Sequence, residues 1–236
     1  NDSETVKFRS KRYIYGFVDN APYDTLLDNK LTGINYELLS NFSKLTNAEI
    51  SYKKYNNIKS MLDAFNSNQI DLFYGINSTT EYNLDIYNTV PVYENSAIIL
   101  KHSSNNKIIN SIKSVDNIVS LENSNLSEYF TNNNITVTAY GNMEDLINNL
   151  NNDSIIVLDL YNYNYYANKL TDFIIAYQFD NDNYSFISRD ISDNKIFNEF
   201  FDFYIRFNDT QKFITLGLSD LMLIDKTPII LKNIAI

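Results

Sequence analysis

A chain of 236 residues with 44% hydrophobic residues is long enough for one large domain or for two lobes with apolar cores. Its formal charge of −10 argues against a nucleic-acid backbone or an anionic membrane surface as partner. The absence of cysteine excludes disulfides and thiolate chemistry, and no run of about 18 apolar residues predicts a transmembrane helix. There is no apolar signal segment at Asn1, so we expect a mature or excised soluble piece. With only five glycines, we expect asparagine to occupy many left-handed turns.

The first half of the chain alternates predicted strands with predicted helices, as βαβ units do. Residues 1–12 are polar and basic and are predicted to be a lead-in or linker. The helices are predicted from apolar residues that recur on one face, Ile34, Leu38, Leu39, Phe42 and Leu45 in the first and Ile58, Met61, Leu62 and Phe65 in the second. The predicted strands are residues 13–18, 49–53 and 70–74.

Polar residues follow two of these strands. Crossovers of βαβ units are right-handed, so the carboxyl ends of the strands meet at one rim, where open α/β sheets bind ligands. We therefore expect Asp19, Asn20, Gly75 and Asn77 to converge on one rim.

The second half repeats the same alternation, which predicts two similar lobes. Residues 96–101 are predicted to leave the first lobe. The predicted strands of the second series are residues 118–121, 135–139 and 155–160, and its helices cover residues 126–131 and the apolar positions of residues 143–150. Residues 173–179 and 184–188 are predicted to carry the chain back to the first lobe. The expected division is residues 1–100 plus 184–236 for lobe 1 and 101–183 for lobe 2.

After Asp193, a predicted helix carries Phe197, Phe200, Phe201 and Tyr204 on one face. These aromatics are expected in the core rather than around a cofactor. In the tail from Leu216 to Ile236, residues 228–231 could pair as an edge strand.

The order of the segments QIDLFYG, STTEY and VPVYENSAIIL after a helix resembles the family 3 extracytoplasmic solute-binding proteins. The upstream segment YGFVDNAPYDTLLDNKLTGINYELL fits the same family, and the resemblance covers most of residues 13–208. It implies the periplasmic-binding-protein type 2, or Venus-flytrap, fold. In that α/β fold each lobe is a mostly parallel sheet flanked by helices, and two hinge crossings join the lobes.

The resemblance also implies where a ligand is held. Amino-acid-binding members place an Arg where this chain has Tyr82, so the usual carboxylate clamp is absent. Asp159 aligns with the carboxylate that receives the ligand ammonium, with a simple helix N-cap as the alternative. The family's Gly-Ser/Thr-Thr turn at a helix start corresponds to Asn123, Ser124 and Asn125. That turn could accept an anion or form an ordinary N-cap.

Four tyrosines, Tyr23, Tyr74, Tyr82 and Tyr93, lie on or near the predicted rim, although some of the 19 tyrosines would do so by chance. We hypothesise an aromatic-walled cleft that holds a flat or apolar cationic solute. A positively charged ligand group would suit Asp159.

An enzyme is disfavoured, because His102 is the only histidine and no Gly-rich phosphate loop is present, although carboxylate pairs remain open. We expect no cofactor and no metal. The favoured function is the sensor domain of a transmembrane signalling protein that closes on a small, cationic or amino-acid-like solute. The alternatives are an ABC-transporter substrate-binding lipoprotein and a degenerate lobe that binds only a protein partner.

The expected partners are a small-molecule solute and either a membrane permease or a tethered signalling domain. Nucleic acid and direct membrane insertion of this segment are not expected. The expected location is extracytoplasmic, at the cell surface or in the periplasm, with a membrane tether in the full-length protein.

Overall fold

The computed structural model describes residues 11–75, 85–122, 125–180 and 184–221. Among these residues the chain divides into two compact units. Unit 1 comprises residues 11–74, 85–93 and 185–221, and unit 2 comprises residues 75, 94–122, 125–180 and 184. Apart from Gly75, the chain therefore passes from unit 1 to unit 2 after Tyr93 and returns after Tyr184.

Unit 1 contains a five-stranded sheet, a small hairpin and helices. Its strands are β1 (Arg12–Val18), β2 (Thr25–Leu27), β3 (Lys30–Thr32), β4 (Glu49–Tyr55), β5 (Leu72–Tyr74), β6 (Ile86–Asn88) and β12 (Phe186–Arg189). Its helices are α1 (Ile34–Thr46), α2 (Ile58–Asn66), α6 (Lys195–Phe207) and α7 (residues 211–221). The sheet order is β4-β1-β5-β12-β6, with β4, β1 and β5 parallel and β12 antiparallel to both of its neighbours.

Local chemistry sets the ends of the helices in unit 1. Gly33 precedes α1 with φ of 125°, and a Cβ there would lie 2.5 Å from the backbone oxygen of Tyr23. Only glycine fits such a site without strain. Asn47 ends α1 in the left-handed region, with φ of 59°. At the start of α2, the Asn57 side chain accepts a hydrogen bond of 2.8 Å from the N–H of Ser60, which is an ordinary N-cap.

Aromatic side chains fill the core of unit 1. Phe42 of α1 packs against Phe197, Phe201 and Tyr204 of α6, with ring centroids 4.9 to 5.9 Å apart. The prediction of core aromatics is therefore confirmed for these α6 residues. It is wrong for Phe200, which is 45% exposed, because four residues on one helix face span a wider arc than one contact surface covers. Leu45 at the end of α1 is likewise exposed rather than buried.

Unit 2 contains a second five-stranded sheet in the order β11-β7-β10-β8-β9. Its strands are β7 (Ser96–His102), β8 (Asn117–Leu121), β9 (Thr136–Tyr140), β10 (Ile155–Asp159) and β11 (Phe173–Asp180). Its helices are α3 (Asn125–Asn132), α4 (Met143–Asn148) and α5 (Leu160–Tyr166). Two separate apolar cores, one around Phe130 and one around Leu146, contain alternate residues of β7 and β10, as expected of a sheet covered on both faces.

The two-lobed α/β fold class is confirmed, and each sheet is mixed, with four strands in one direction and a single strand in the opposite direction. In unit 1, β12 alone runs opposite to the other strands, because β6 pairs antiparallel with β12 and so runs in the same direction as β5. In unit 2, β7 and β11 pair antiparallel with each other, and β7 also pairs antiparallel with β10. Strand direction depends on how the chain enters and leaves each sheet, which apolar periodicity does not report.

The predicted lobe division, residues 1–100 plus 184–236 against 101–183, stays a prediction. In the structure β7 pairs with β10 and β11 along its whole length, so its residues from Ser96 onward belong to the second sheet. Residues 211–221 form α7 within the tail. The possible strand at residues 228–231 lies outside the described residues.

Asparagine takes the left-handed positions, as the low glycine content predicts. Asn29, Asn47, Asn68 and Asn134 have φ of 61°, 59°, 60° and 62°. Asn29 and the preceding Asp28, with φ of 51°, form the loop of the β2–β3 hairpin, which sequence analysis did not predict. Two positive φ values in a two-residue loop are the geometry of the common hairpin turn.

Candidate functional site

The segments that follow β1 and β5 leave the first sheet at the same edge, because these two strands are parallel. Asp19 and Asn20 follow β1, and Gly75 follows β5 with φ of 108°. Asn20 closes a tight turn: its N–H donates to the Asp24 carbonyl (2.7 Å), and its carbonyl accepts from the N–H of Tyr23 (2.9 Å). The turn holds Asp19, Asn20 and Tyr23 close to the end of β1.

Three of the four predicted rim tyrosines lie together in unit 1. The ring of Tyr23 is centred 5.4 Å from that of Tyr74 and 6.3 Å from that of Tyr93. The rings of Tyr74 and Tyr93 are 6.0 Å apart. Tyr23 and Tyr93 are buried and Tyr74 is half-buried, so this group, the tyrosine cluster, is packed rather than spread along a surface.

A buried polar network adjoins the tyrosine cluster and was missed by sequence analysis. The Tyr93 hydroxyl donates to Asn35 Oδ1 (3.0 Å), and Asn35 Nδ2 donates to Asp24 Oδ2 (3.1 Å). The Tyr15 hydroxyl donates to the same carboxylate oxygen (2.8 Å). We call Tyr15, Asp24, Asn35 and Tyr93 the Asp24 network. It links β1, α1 and the last residue of unit 1 before the first crossing.

Asp24 is the acidic residue of this network. The pKa of the Asp24 carboxyl is raised to about 7: burial raises it most, the hydrogen bonds from Tyr15 and Asn35 partly offset that effect, and the nearby charge of Asp19 adds a smaller increase. Among the described residues, no group donates a hydrogen bond to the buried Asp24 Oδ1. A carboxyl in this setting holds its proton up to about neutral pH.

Asp159 is the candidate residue of unit 2, at the carboxyl end of β10. It is the N-cap of α5, because its Oδ1 accepts a hydrogen bond of 2.8 Å from the N–H of Asn162. The Asp159 side chain is buried, and its charge helps burial to raise the pKa of Tyr161. Asp159 therefore forms the helix N-cap that was the alternative interpretation. A ligand contact through Asp159 stays a prediction.

Four of the remaining candidates lie outside what the structure describes, and one lies inside it. Asn77 and Tyr82 belong to residues 76–84, and Asn123 and Ser124 directly precede α3. Asn125 is the first residue of α3. Because β8 and β10 are parallel, the segment after β8 leaves the second sheet at the same edge as Asp159.

A buried arginine, also missed by sequence analysis, holds the strand by which the chain returns to unit 1. Arg189 at the end of β12 is 5% exposed, lies over the ring of Phe65 and donates to the carbonyls of Phe65 (2.7 Å) and Ile70. Its guanidinium is 3.5 Å from Asp71, whose other oxygen accepts from the N–H of Ile14 (2.8 Å). This Arg189 clamp joins β12 to α2, β5 and β1. Its only sequence signal is a charge at the end of an apolar strand.

A cavity of about 240 Å³ lies in unit 2, lined by residues that include His102, Leu150, Lys169 and Phe173. The His102 ring contacts Phe173, and its Nδ1 lies 3.1 Å from the backbone nitrogen of Ser104 and 2.7 Å from the Ser104 hydroxyl. In the part of the chain that the structure describes, no group of three or more His, Asp or Glu could hold a metal ion. No described helix has both the length and the apolar character needed to cross a bilayer.

The family described as bacterial extracellular solute-binding proteins, family 3, matches residues 14–216. No curated protein matches the chain.

Several solved structures share the fold. The VFT2 domain of BvgS from Bordetella pertussis, a double mutant, has a TM-score of 0.73 at 13% identity, covering 93% of this chain and 97% of that one. The amino acid ABC transporter substrate-binding protein AbpA from Streptococcus pneumoniae, bound to L-arginine, has a TM-score of 0.70 at 17% identity, covering 93% and 98%. The truncated arginine-bound ArgBP from T. maritima has a TM-score of 0.66 at 13% identity, covering 87% and 99%. At these identities the likeness shows the fold alone.

Proposed function

We infer that this chain, which belongs to the bacterial extracellular solute-binding proteins, family 3, binds a small amino-acid-like solute that carries a positive charge. The observation that supports this solute most is the half-buried ring of Tyr74, which the buried Tyr23 and Tyr93 hold at the carboxyl edge of the first sheet. Tyrosine rings attract cations electrostatically. The fold is shared with two proteins whose structures contain arginine.

Asp159 supplies the charge that this proposal needs in unit 2. One of its oxygens caps α5, which fixes the carboxylate at the carboxyl end of β10. A fixed carboxylate is prepared to accept an ammonium or guanidinium group without further ordering of the side chain. Tyr82 in place of the family's Arg weakens recognition of a ligand carboxylate, so we propose that the cationic group contributes most of the affinity.

The solute acts by shifting a population. Two units joined at two crossings, after Tyr93 and after Tyr184, can adopt open and closed arrangements. A solute that binds the closed arrangement more tightly shifts the chain toward it by that difference in affinity.

Thermal unfolding in the presence of single solutes tests the proposal. The panel contains L-arginine, L-lysine, putrescine and spermidine, with L-glutamate and L-leucine as solutes that lack the cationic side chain. A solute at about 100 times its dissociation constant adds about 2.7 kcal/mol to the free energy of unfolding, which raises the melting temperature by roughly 5–10 °C. A panel in which no member raises the melting temperature would overturn the small-solute proposal in favour of a lobe that binds only protein.

Asp159→Asn is the decisive variant, because asparagine keeps the capping oxygen and replaces the other carboxylate oxygen with an uncharged amide nitrogen. We expect the affinity for the cationic solute to fall about tenfold to 150-fold, the value of a charge-assisted hydrogen bond, while the melting temperature without solute stays the same. Asp153→Asn, on the exposed turn before β10, is the matched control. An Asp159→Asn variant that binds the solute as tightly as the parent would contradict the role of this carboxylate.

Family membership implies an extracytoplasmic location. We propose that the output is signalling, with the chain as the sensor domain of a membrane-tethered protein, because Tyr82 and the glycine-poor loops depart from the transport members that bind amino acids. The fold shared with AbpA supports transport as the second candidate. Flanking transmembrane helices with a cytoplasmic output domain in the full-length gene would support sensing, whereas a lipid anchor alone would support transport.

A further inference from the structure

Helix α6 has two apolar faces, although the core of unit 1 uses only one. The inner face, with Phe197, Phe201 and Tyr204, is buried. On the outer face, Phe203 is 60% exposed and Phe207 is 67% exposed, and their rings pack on each other with centroids 4.5 Å apart. Exposed apolar patches of this kind mark interaction sites on soluble proteins.

The outer face has the spacing of a helix-pairing seam. Ile196, Phe200, Phe203 and Phe207 follow one another at intervals of four, three and four residues, which is the a/d alternation of two-helix packing. Ile196 is half-buried and Phe200 is 45% exposed, so the seam extends over the whole helix. We call these four residues the α6 seam.

Charges flank the α6 seam on one side only. Glu199 and Arg206 are exposed and lie one position before Phe200 and Phe207, where coiled coils carry their paired charges. The opposite flank is Phe197 and Tyr204, which are buried in the core of unit 1. Arg206 also lies 3.3 Å from Asp202 Oδ2 within the helix, so a partner of the seam meets Glu199 and, seven residues on, an arginine that it shares with Asp202.

We propose that the α6 seam binds the α6 seam of a second copy of this chain, antiparallel and about a twofold axis. In that arrangement Phe200 packs against Phe203 of the second copy, and Ile196 packs against its Phe207. The same register places Glu199 beside Arg206 of the second copy, and the twofold axis repeats the pair. This charge complementarity of the seam with itself selects a second copy as the occupant.

The overall charge of the chain bears on the strength of this dimer. A net charge of −10 repels an anionic lipid surface and also repels a second copy, so the apolar contact and the matched charges of the α6 seam have to offset that repulsion. One helix pair is smaller than a standard stable interface, so the dimer is weak and its population depends on protein concentration. Added salt screens the repulsion between copies and also weakens the paired charges.

Sedimentation velocity of the whole chain, from about 1 to about 300 µM, tests the proposal. We expect the parent to change from monomer to dimer within that range and Phe203→Ser to weaken dimerisation at least tenfold. Ile174→Ser, at an exposed isoleucine on β11, is the matched control and should leave dimerisation unchanged. A parent that stays monomeric throughout, or a dimer that Phe203→Ser leaves intact, would overturn the proposal.

Charge exchange tests the register. Glu199→Lys and Arg206→Glu should each weaken the dimer, because each places like charges together across the axis, and the double variant should restore it. Lys59→Glu, at an exposed lysine of α2, controls for the change in net charge. Circular dichroism checks that every variant keeps the melting temperature of the parent. A double variant no better than either single variant would contradict the antiparallel register.

The absence of cysteine provides an independent test. A chain with both Glu199→Cys and Arg206→Cys should form a disulfide-linked dimer under mild oxidation. The two single variants should not, because each cysteine lies beside the other position of the second copy. Equal cross-linking of a single variant would show a different contact and would overturn the proposal.

Discussion

Asp24→Asn should remove most of the pH dependence of stability that arises from the Asp24 network. The pKa of the Asp24 carboxyl lies at about 7 in the folded chain because of burial, against 3.8 for an unperturbed carboxyl. A raised folded pKa means that the group stabilises the folded chain fully below about pH 4, and that this contribution is lost as the pH rises through about 7. The difference between the two pKa values corresponds to at most about 4 kcal/mol.

For a chain of this length, that energy corresponds to a melting-temperature difference of at most about 8–16 °C. Thermal unfolding followed by circular dichroism from about pH 4.5 to about pH 8.5 measures it. We expect the melting temperature of the parent to fall toward neutral pH and that of Asp24→Asn to fall less. The melting temperature of the variant should therefore rise relative to that of the parent as the pH rises. Asparagine can still accept the hydrogen bonds of Tyr15 and Asn35 through its oxygen.

A second carboxyl has to be separated from Asp24. Burial and the neighbouring Asp220 raise the pKa of Glu37 to about 7, so Glu37 gives a pH dependence of the same sign. Glu37→Gln is therefore the matched control, and the effect of Asp24→Asn should persist in its background. If the melting temperatures of the parent and of Asp24→Asn differed by the same amount at every pH, the reasoning about Asp24 would be refuted.

Three further substitutions test the packing of unit 1. Arg189→Met leaves Asp71 without its buried cation and should lower the free energy of unfolding by about 3–5 kcal/mol, measured by urea denaturation with Arg206→Met as the exposed control. Gly33→Ala places a Cβ 2.5 Å from a backbone oxygen and should cost at least as much as a strained φ, about 1–3 kcal/mol; an unchanged urea midpoint would contradict this. Tyr93→Phe removes one buried hydrogen bond to Asn35, so thermal unfolding should report a loss of about 1 kcal/mol, and no loss would mean that this bond is not formed.

The elements of the fold could be read from the sequence wherever periodicity was long enough. The stripe at Ile34, Leu38 and Phe42 predicts α1, and the apolar run before Asp159 predicts β10, and both are present. The β2–β3 hairpin was missed, because its strands have three residues each and carry no periodicity. The directions of β7 and β12 were missed for a different reason, since antiparallel and parallel strands have the same period of two residues.

The residues of the candidate site could be predicted from the sequence only in part. Strand ends predict where Tyr23 and Tyr74 meet, because the carboxyl ends of parallel strands share an edge. The Asp24 network could not be predicted: Tyr93 and Asn35 are 58 residues apart, and in a chain rich in asparagine and tyrosine neither type stands out. Buried polar networks depend on tertiary geometry, and the residue patterns of a single sequence do not report that geometry.

The left-handed asparagines affect the unfolded state as well as the folded one. A glycine at Asn47, Asn68 or Asn134 would reach the same φ without strain, yet it would also give the denatured chain more backbone freedom. Each asparagine corner therefore loses less entropy on folding than a glycine corner does. A chain with few glycines keeps its turns, and at each turn its unfolded state has fewer backbone conformations to lose on folding.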